Sequence, residues 1–305
     1  MLDKIKCIPY SYSAMATLAV ILGFVTGGFP YNSEVTLVAL LVVMSLSTRD
    51  VRFRELRSLR GHLKDFLIVF ILNYVLLTVS MAGLAYLLFS DIELIQGMVV
   101  FALMPSAIAV IPFTKMVDGD MELSLISTSL LYLSSLVMVP VFLFILFGNE
   151  VGLMPILKNL FIMLVLPIFI SRILLKVGYE ERKHDKAIVN TSFLIIIMGA
   201  IGTNRHLFFD RTEILIPIFF IGFVRSIGLT SITAFIGKKL GSSHKKLRSY
   251  ILFSGYKNGG LSIILAVLLF GAEASFPIVV GFPFDLILII YIMNILINKL
   301  ELTAN

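Results

Sequence analysis

Three charged side chains lie within long apolar stretches of the sequence, where a charge is costly. Arg225, Lys257 and Asp285 are each roughly ten residues from the ends of their stretches, so helices would bring all three to a similar depth. A charge at the centre of a membrane helix costs about 2.5 to 3.5 kcal/mol on insertion scales, and such residues mark ion or substrate pathways. Two cations and one anion leave a surplus positive charge. The three residues therefore predict a binding site for an anion.

A purely structural interpretation of these residues is also open, in which Asp285 pairs with Lys257 or Arg225 only to hold helices together. Buried ion pairs are weak evidence even for stability. The surroundings of Lys257 favour a functional role, because half-helix ends and freed backbone groups bind ions. A lysine withdrawn from water can also lose its proton near neutral pH and so carry protons, which an arginine cannot.

Lys257 belongs to an apolar segment whose centre is interrupted. The segment runs from Tyr250 to Ala266 and reads YILFSGYKNGGLSIILA. Glycines weaken a helix, and polar groups in hydrocarbon need partners, so the centre predicts a broken helix that is buried in protein or reached by water. The residues assigned to this break are Gly255, Lys257, Asn258, Gly259 and Gly260.

A second apolar segment is interrupted by prolines. The sequence from Leu103 to Lys115 contains Pro105 and Pro112, and each proline removes a backbone donor and crowds the preceding turn. A second broken helix is therefore predicted here. The acidic loop that follows offers Asp118 or Asp120 as an N-cap for the next helix.

The composition places the chain in the class of integral membrane proteins. Of its 305 residues, 58% are hydrophobic and only 14% are charged, and the mean hydropathy is +1.00. At about 20 apolar residues per crossing, the length allows about ten helices and no soluble domain. The prediction is an all-α fold with one membrane domain over residues 1–305. The predicted spans are residues 11–28, 34–47, 66–89, 94–115, 121–147, 153–175, 187–203, 214–235, 250–270 and 276–297.

The basic residues lie in short blocks between the apolar spans. The net charge of +6 could suggest a nucleic-acid partner, but this distribution is the one that the positive-inside rule predicts. With the N-terminus in the cytoplasm, twenty basic residues fall inside and only the basic residues Lys158, Arg205 and Arg211 fall outside, apart from Arg225 and Lys257 within the membrane. We therefore expect a multi-pass protein of the plasma membrane with both termini in the cytoplasm. The block from residue 48 to 64 predicts an amphipathic interfacial helix.

The two halves of the chain repeat one plan. Residues 1–148 would hold helices 1 to 5, and residues 149–305 would hold helices 6 to 10. Because five is odd, the halves cross the membrane in opposite directions, and the broken helices 4 and 9 take equivalent places. The sequence thus predicts ten transmembrane helices as two inverted five-helix repeats whose broken helices cross near the midplane.

Two motifs carry a resemblance to a known family. The stretches LMPSAIAVIPFTKMVDGDMELSLISTSLL and SGYKNGGLSIILA resemble the crossover-helix motifs of the bile acid/sodium symporters, within the larger group that includes arsenite permeases and auxin efflux carriers. The resemblance implies a panel of helices 1, 2, 6 and 7, a core of helices 3 to 5 and 8 to 10, and a crossing of helices 4 and 9.

The resemblance also implies sodium sites, which this sequence keeps only in part. The positions that match polar ligands or their neighbours are Asn73, Ser124, Thr128 and Asn258. The family's Ser-Asn pair in helix 4 is replaced by Val110 and Ile111, its glutamate in helix 9 by Phe253, and its glutamine by Lys257. Because an ammonium group repels sodium, we expect the lysine to occupy the cation's place and coupling to be to protons or absent.

These observations predict a secondary active transporter of a small organic anion that works by alternating access. The candidate substrate-binding residues are Lys257, Arg225, Asp285, Asn258, Asn73, Ser106, Ser254, Ser124 and Thr128. No cofactor or nucleic-acid partner is expected, and the four histidines and the lone Cys7 show no metal-ligand spacing. The partners expected are the anion, protons and the lipid bilayer.

Other functions remain open at the level of the sequence. Within transport, the alternatives are a sodium-coupled symporter with a shifted ion site and an anion channel, whose basic pore would select anions. A receptor built on the same fold would bind the ligand without moving it. An enzyme is not expected, because apart from the three charges no nucleophile, base or metal cluster lies at membrane depth.

Overall fold

The computed structural model describes residues 9, 12–27, 33–50, 59–179 and 183–296. Within these residues the chain is helical and contains no strand. We number the helices α1 to α10 to match the ten predicted spans. Their bounds are α1 (Tyr12–Thr26), α2 (Ser33–Ser47), α3 (Leu59–Phe70, π-helical Ile71–Leu77, Thr78–Leu88), α4a (Ile92–Leu103), α4b (Val110–Met116), α5 (Met121–Val151), α6 (Leu153–Leu160, π-helical Phe161–Val165, Leu166–Lys176), α7 (Lys183–Thr203), α8 (Leu215–Phe223, π-helical Val224–Leu229, Thr230–Lys239), α9a (His244–Phe253), α9b (Gly259–Phe270) and α10 (Phe276–Gly281, Pro283–Tyr291, π-helical Ile292–Leu296).

The helices confirm an integral membrane protein that crosses the bilayer several times. Within the described residues, six are long and apolar enough to span a membrane: Gly61–Leu88, Met121–Gly148, Leu153–Lys176, His184–Thr203, Thr212–Lys239 and Glu273–Asn294. Four apolar segments are shorter, namely Ala14–Thr26, Glu34–Ser47, Ile92–Leu103 and Gly259–Phe270. Two of these shorter segments, α4a and α9b, are halves of the helices that the sequence predicts to be broken.

The break in α4 lies at Pro105. Helix α4a ends at Leu103, Met104 is extended with φ −65° and ψ 148°, and helical structure resumes at Val110. This agrees with the rule that a residue before proline avoids the α-helical conformation. The prediction that Pro112 also interrupts the helix is wrong. Pro112 lies in the first turn of α4b, where the missing N–H has no intrahelical partner to lose.

The break in α9 covers Ser254 to Asn258, between α9a and α9b. Gly255 lies within it, and a Cβ there would come 2.7 Å from the Thr230 side chain. Gly259 and Gly260 form the first turn of α9b instead of the break itself. Asn258 caps this turn, because its side chain accepts a hydrogen bond from the backbone N–H of Leu261 at 3.1 Å.

Four helices form the packing group that the resemblance implies as a panel. Helix α7 packs along α1 and α2, and α6 packs along α2.

Helix α4a packs against α9b and reaches the backbone just before α10. There, a Cβ on Gly97 would lie only 1.7 Å from the Ala274 carbonyl oxygen, so this close approach requires glycine.

Two expected features fall near gaps in the described residues. Of the predicted interfacial helix at 48–64, residues 51–58 lie outside the described residues. Its two ends are a 3₁₀ turn at Thr48–Asp50 and the start of α3 at Leu59. The predicted N-cap of α5 is confirmed at Asp120, whose side chain accepts from the Leu123 N–H at 3.0 Å.

Candidate functional site at the two helix breaks

The two broken helices meet at their breaks, as the sequence predicts. The backbone N–H of Asn258 donates to the carbonyl of Pro105 at 3.0 Å. The hydroxyl of Ser106 donates to the carbonyl of Tyr256 at 2.9 Å. Each break thus satisfies backbone groups of the other, which is how irregular backbone is tolerated at membrane depth.

The ammonium group of Lys257 is held in a cage of oxygen atoms. The side chain is fully buried, and its Nζ donates to the carbonyl of Asn73 at 2.9 Å, to Asn73 Oδ1 at 3.0 Å and to the carbonyl of Met104 at 2.9 Å. A fourth oxygen, Thr78 Oγ1, lies at 3.3 Å, and the ring of Tyr74 lies 5.2 Å from Nζ. These partners are neutral, and together they satisfy the three donors of the ammonium group.

Local backbone structure explains why the cage oxygens are available. Met104 lies in the break of α4, where the helical hydrogen-bond ladder has ended and its carbonyl has no intrahelical partner. Asn73 lies within the π-helical turn Ile71–Leu77 of α3, and Thr78 is the first residue after it. Such turns are frequent at functional sites. A π-helix bonds residue i to residue i+5, and the Thr78 hydroxyl donates to the carbonyl of Asn73, five positions earlier, at 3.0 Å.

Asn73 connects α3 to both breaks. Its Oδ1 accepts from Lys257, while its Nδ2 donates to Ser106 Oγ at 2.7 Å and to the carbonyl of Phe253 at 3.4 Å. Ser106 in turn donates a hydrogen bond to the carbonyl of Tyr256. The structure therefore brings three predicted site residues, Lys257, Asn73 and Ser106, into one buried hydrogen-bonded network.

Arg225 and Asp285 form a second charged cluster. Arg225 Nη2 lies 2.6 Å from Asp285 Oδ1, and the two side chains are only 1% and 8% exposed. The guanidinium carbon lies 5.0 Å from the centre of the Phe101 ring. Arg225 Nη1 has no hydrogen-bond partner among the described residues. Of the two pairings that the sequence leaves open, the structure has Asp285 with Arg225.

A cavity of about 660 Å³ lies beside the breaks. Its wall comes from α2, α7, α10 and both breaks, and it is mostly apolar. The polar residues on the wall are Ser47, Asn190, Tyr256, Lys257, Asn258 and Asp285. Lys257 lines the cavity, yet its ammonium nitrogen is engaged by the oxygen cage.

The remaining predicted contacts are scattered. Asn258 lies on the wall and donates from Nδ2 to the Tyr132 hydroxyl at 2.8 Å. Ser124 lies 2.9 Å from Thr114 Oγ1, and the hydroxyl of Thr128 is buried without a partner among the described residues. Ser254 makes a local bond to the Ile251 carbonyl at 2.9 Å. Within the described part of the chain, Asn258, Lys257 and Asp285 are the predicted polar contacts that line the cavity.

Three of the sodium-site positions that the resemblance marks as changed are filled by apolar side chains. Phe253 and Val110 are fully buried and Ile111 is 7% exposed, and none of the three has a side-chain oxygen. Hard cations require several oxygen ligands. An ammonium group already occupies the oxygen cage, so with Lys257 in place the residues of the site do not fit bound sodium.

Sequence reasoning missed several residues of the site. Thr78 lies five positions after Asn73, and the α-helical period of 3.6 would not place the two together. The Met104 carbonyl belongs to an apolar residue, so no side-chain pattern indicates it. Phe101 and Asn190 could have been found from the cation–π preference of arginine and from a lone polar residue on an apolar helix, but neither signal is specific.

Comparison with known proteins identifies the family of the chain. The chain is 23% identical over 265 residues to the uncharacterized protein YbaS of Bacillus subtilis (strain 168), an alignment that covers 83% of this chain and 85% of that protein. Residues 37–207, more than half of the chain, match the family described as the Sodium Bile acid symporter family. The match ends before Arg225, Lys257 and Asp285. This protein is therefore a member of the sodium bile acid symporter family of membrane transporters.

Proposed function

We propose that the protein is a secondary active transporter of a small organic anion that works without sodium. Membership of a transporter family supports the general class. The oxygen cage around Lys257 is the single observation that carries the sodium independence. Four oxygens at 2.9 to 3.3 Å surround a positive charge that is covalently tied to the chain.

A tethered cation changes how such a carrier is driven. A sodium ion can enter from one side of the membrane and leave on the other, whereas the ammonium of Lys257 stays within the protein. The cage would thus preserve the local structure that a bound cation supports. No sodium gradient could drive transport through it, because its cation does not leave the protein. Coupling would then be to protons or absent.

The cavity is the proposed substrate space. It lies between α2 and α7 on one side and the breaks with α10 on the other, which is where a panel and a core would face each other. In this proposal residues 1–148 and 149–305 are inverted repeats, the termini lie in the cytoplasm of a plasma-membrane protein, and movement of core against panel exposes the cavity alternately.

The charges near the cavity favour an anion. Arg225 and Lys257 carry two positive charges and Asp285 one negative charge, and all three are buried. The apolar wall suits the hydrocarbon part of an organic anion, while Asn258 and Asn190 on the wall offer hydrogen bonds to its polar group.

Flux measurements in proteoliposomes test this proposal. Vesicles preloaded with acetate, hexanoate or benzoate should exchange the labelled acid from outside faster than protein-free vesicles, which measure passive diffusion of the neutral acids. Replacing external sodium by choline should leave this protein-dependent rate unchanged. Saturation with concentration separates a carrier from a channel. A rate that requires a sodium gradient would contradict the proposal, and so would the absence of exchange with all three acids.

A further inference from the structure

The two buried cations differ in how completely their donors are satisfied. Lys257 has four oxygen acceptors, whereas Arg225 has one carboxylate oxygen at 2.6 Å and an Nη1 with no hydrogen-bond partner in the described residues. A buried donor without an acceptor is unusual and is a place where a ligand can gain hydrogen bonds. The planar fork of a guanidinium matches the two oxygens of a carboxylate.

Asp285 lies between the cavity and this guanidinium. Asp285 is on the cavity wall, while Arg225 is not, and the guanidinium rests on the Phe101 ring. That ring comes within 3.8 Å of a Cβ built on Gly259, which is also on the wall. A molecule in the cavity therefore meets Asp285 first, and Arg225 is one layer behind it.

An incoming carboxylate could replace Asp285 on Arg225 only if the charge of Asp285 were removed. Two carboxylates beside one guanidinium would leave a buried anion without a partner. A proton on Asp285 removes this conflict, because the carboxylic acid is neutral and the carboxylate of the ligand takes over the pairing with Arg225.

We propose that Arg225 is the anion receptor of this carrier and that Asp285 is its proton-controlled gate. One proton binds to the Asp285 carboxylate, the bond between Asp285 and Nη2 breaks, and the ligand carboxylate bonds to the guanidinium. The total charge of the site is the same before and after, so one proton accompanies each carboxylate charge. By linkage, binding of the anion also favours binding of the proton.

The charged groups around Asp285 are consistent with this role. Arg225 faces it from the π-helical turn of α8, and Lys257 is the buried cation of the adjacent α9 break, where neutral oxygens hold it. Across the cavity, α2 and α7 present Ser47 and Asn190, which carry no charge. Among the described residues, Arg225 is therefore the charged partner that Asp285 must release.

The inference rests on the proposed anion transport and is tested by binding instead of flux. Titration calorimetry of the purified full chain with acetate, hexanoate and benzoate, in two buffers of different ionisation enthalpy, counts the protons taken up. We expect about one proton per bound carboxylate near pH 6.5. Asp285→Asn, a permanently neutral gate, should bind the acids without proton uptake and about tenfold more tightly than the wild type at pH 8.

Asp185→Asn is the matched control. Asp185 also pairs with an arginine, Arg49, at 3.1 Å, with side chains 5% and 10% exposed, and Arg49 Nη1 likewise has no hydrogen-bond partner in the described part of the chain. That pair does not line the cavity, so the control should keep the wild-type proton uptake.

Three outcomes would overturn the inference: wild-type binding without proton uptake, Asp285→Asn binding with unchanged proton uptake, or no binding of any of the three acids. The wild-type count alone decides the matter if the variant does not fold. Sodium-independent exchange without proton uptake would refute the gate but leave the transport proposal intact. Proton-linked binding without exchange would support the gate and contradict the transport proposal.

Discussion

The surroundings of Lys257 and Arg225 differ in kind. Lys257 is enclosed by neutral oxygens, two of them backbone carbonyls, that come from α3 and from the break of α4. Among the described residues, the hydrogen-bond partner of Arg225 is the Asp285 carboxylate, which borders the cavity. The lysine thus has a place fixed by the backbone, while the arginine has a partner that can be exchanged. We infer that the first cation stabilises the crossing and that the second meets the substrate.

The same local distortion accompanies both cations. Asn73, which binds the ammonium, lies in the π-helical turn Ile71–Leu77 of α3, and Arg225 lies in the π-helical turn Val224–Leu229 of α8. Helices α3 and α8 take equivalent places in the proposed repeats. The turn in α3 presents the oxygens of Asn73 to the ammonium of Lys257, which belongs to α9. The turn in α8 carries the cation Arg225 itself.

Removal of the lysine charge should have the largest effect on stability. Lys257→Met keeps most of the side-chain volume but leaves the carbonyls of Asn73 and Met104 buried without this donor. We expect the free energy of unfolding to fall by about 3 kcal/mol, from the loss of several charge-assisted hydrogen bonds. Equilibrium unfolding in mixed micelles measures it, and a loss smaller than that of Arg225→Met would contradict the comparison.

Removal of the arginine should cost less and should depend on pH. Arg225→Met leaves the Asp285 carboxylate buried without its cation. We expect a loss of about 2 kcal/mol at pH 8, which becomes smaller as the pH falls because a protonated Asp285 needs no cation. Unfolding at pH 8 and pH 5 measures both values. The double variant Arg225→Met/Asp285→Leu should recover most of the loss, and failure to recover would show that the pair is not an isolated unit.

Loss of the connecting amide should have a moderate effect. Asn73→Ala removes the bonds from its side chain to Lys257 and Ser106, and we expect it to lower the free energy of unfolding by about 1.5 kcal/mol. Ser254→Ala is the matched control, because its hydroxyl is equally buried but bonds only locally to Ile251. Equal losses in the two variants would argue against a connecting role for Asn73.

The smallest effect is expected at Thr128. Its hydroxyl is buried and has no partner among the described residues, so Thr128→Val removes an unsatisfied polar group. We expect a change within about 0.5 kcal/mol of zero, or a slight gain. Thermal unfolding in sodium and in choline salts measures it. A clear loss confined to sodium would indicate that this hydroxyl binds an ion.

The sequence allowed prediction of the parts of the site that rest on a strong local signal. A lysine between glycines in an apolar span and Pro105 in another predict broken helices, and both breaks are found in contact. The membrane class followed from composition alone. The sequence leaves the partner of Asp285 open between two cations, because equal depth does not determine which helices are neighbours.

Other parts of the site could not be predicted, for identifiable physical reasons. The π-helical turn in α3 places Thr78 beside Asn73, and no side-chain pattern indicates a change of helical period. The sequence does not show where helical structure resumes after Pro105, so it does not distinguish a Pro112 inside the break from one in the first turn of α4b. The sequence predicts Ser254 as a substrate contact, but its hydroxyl donates to the Ile251 carbonyl in its own helical turn. Backbone carbonyls such as that of Met104 carry no signal in the sequence.

The central claim is that the ammonium of Lys257 takes the place of a bound cation. The most direct test compares the thermal unfolding of the wild type and Lys257→Gln, which restores the residue that the resemblance implies, in sodium chloride and in choline chloride. The account predicts no sodium-specific shift for the wild type. For the variant it predicts a rise of about 3 °C or more in saturating sodium, since a ligand that binds only the folded state raises Tm. A sodium-specific rise in the wild type, or none in the variant, would contradict it.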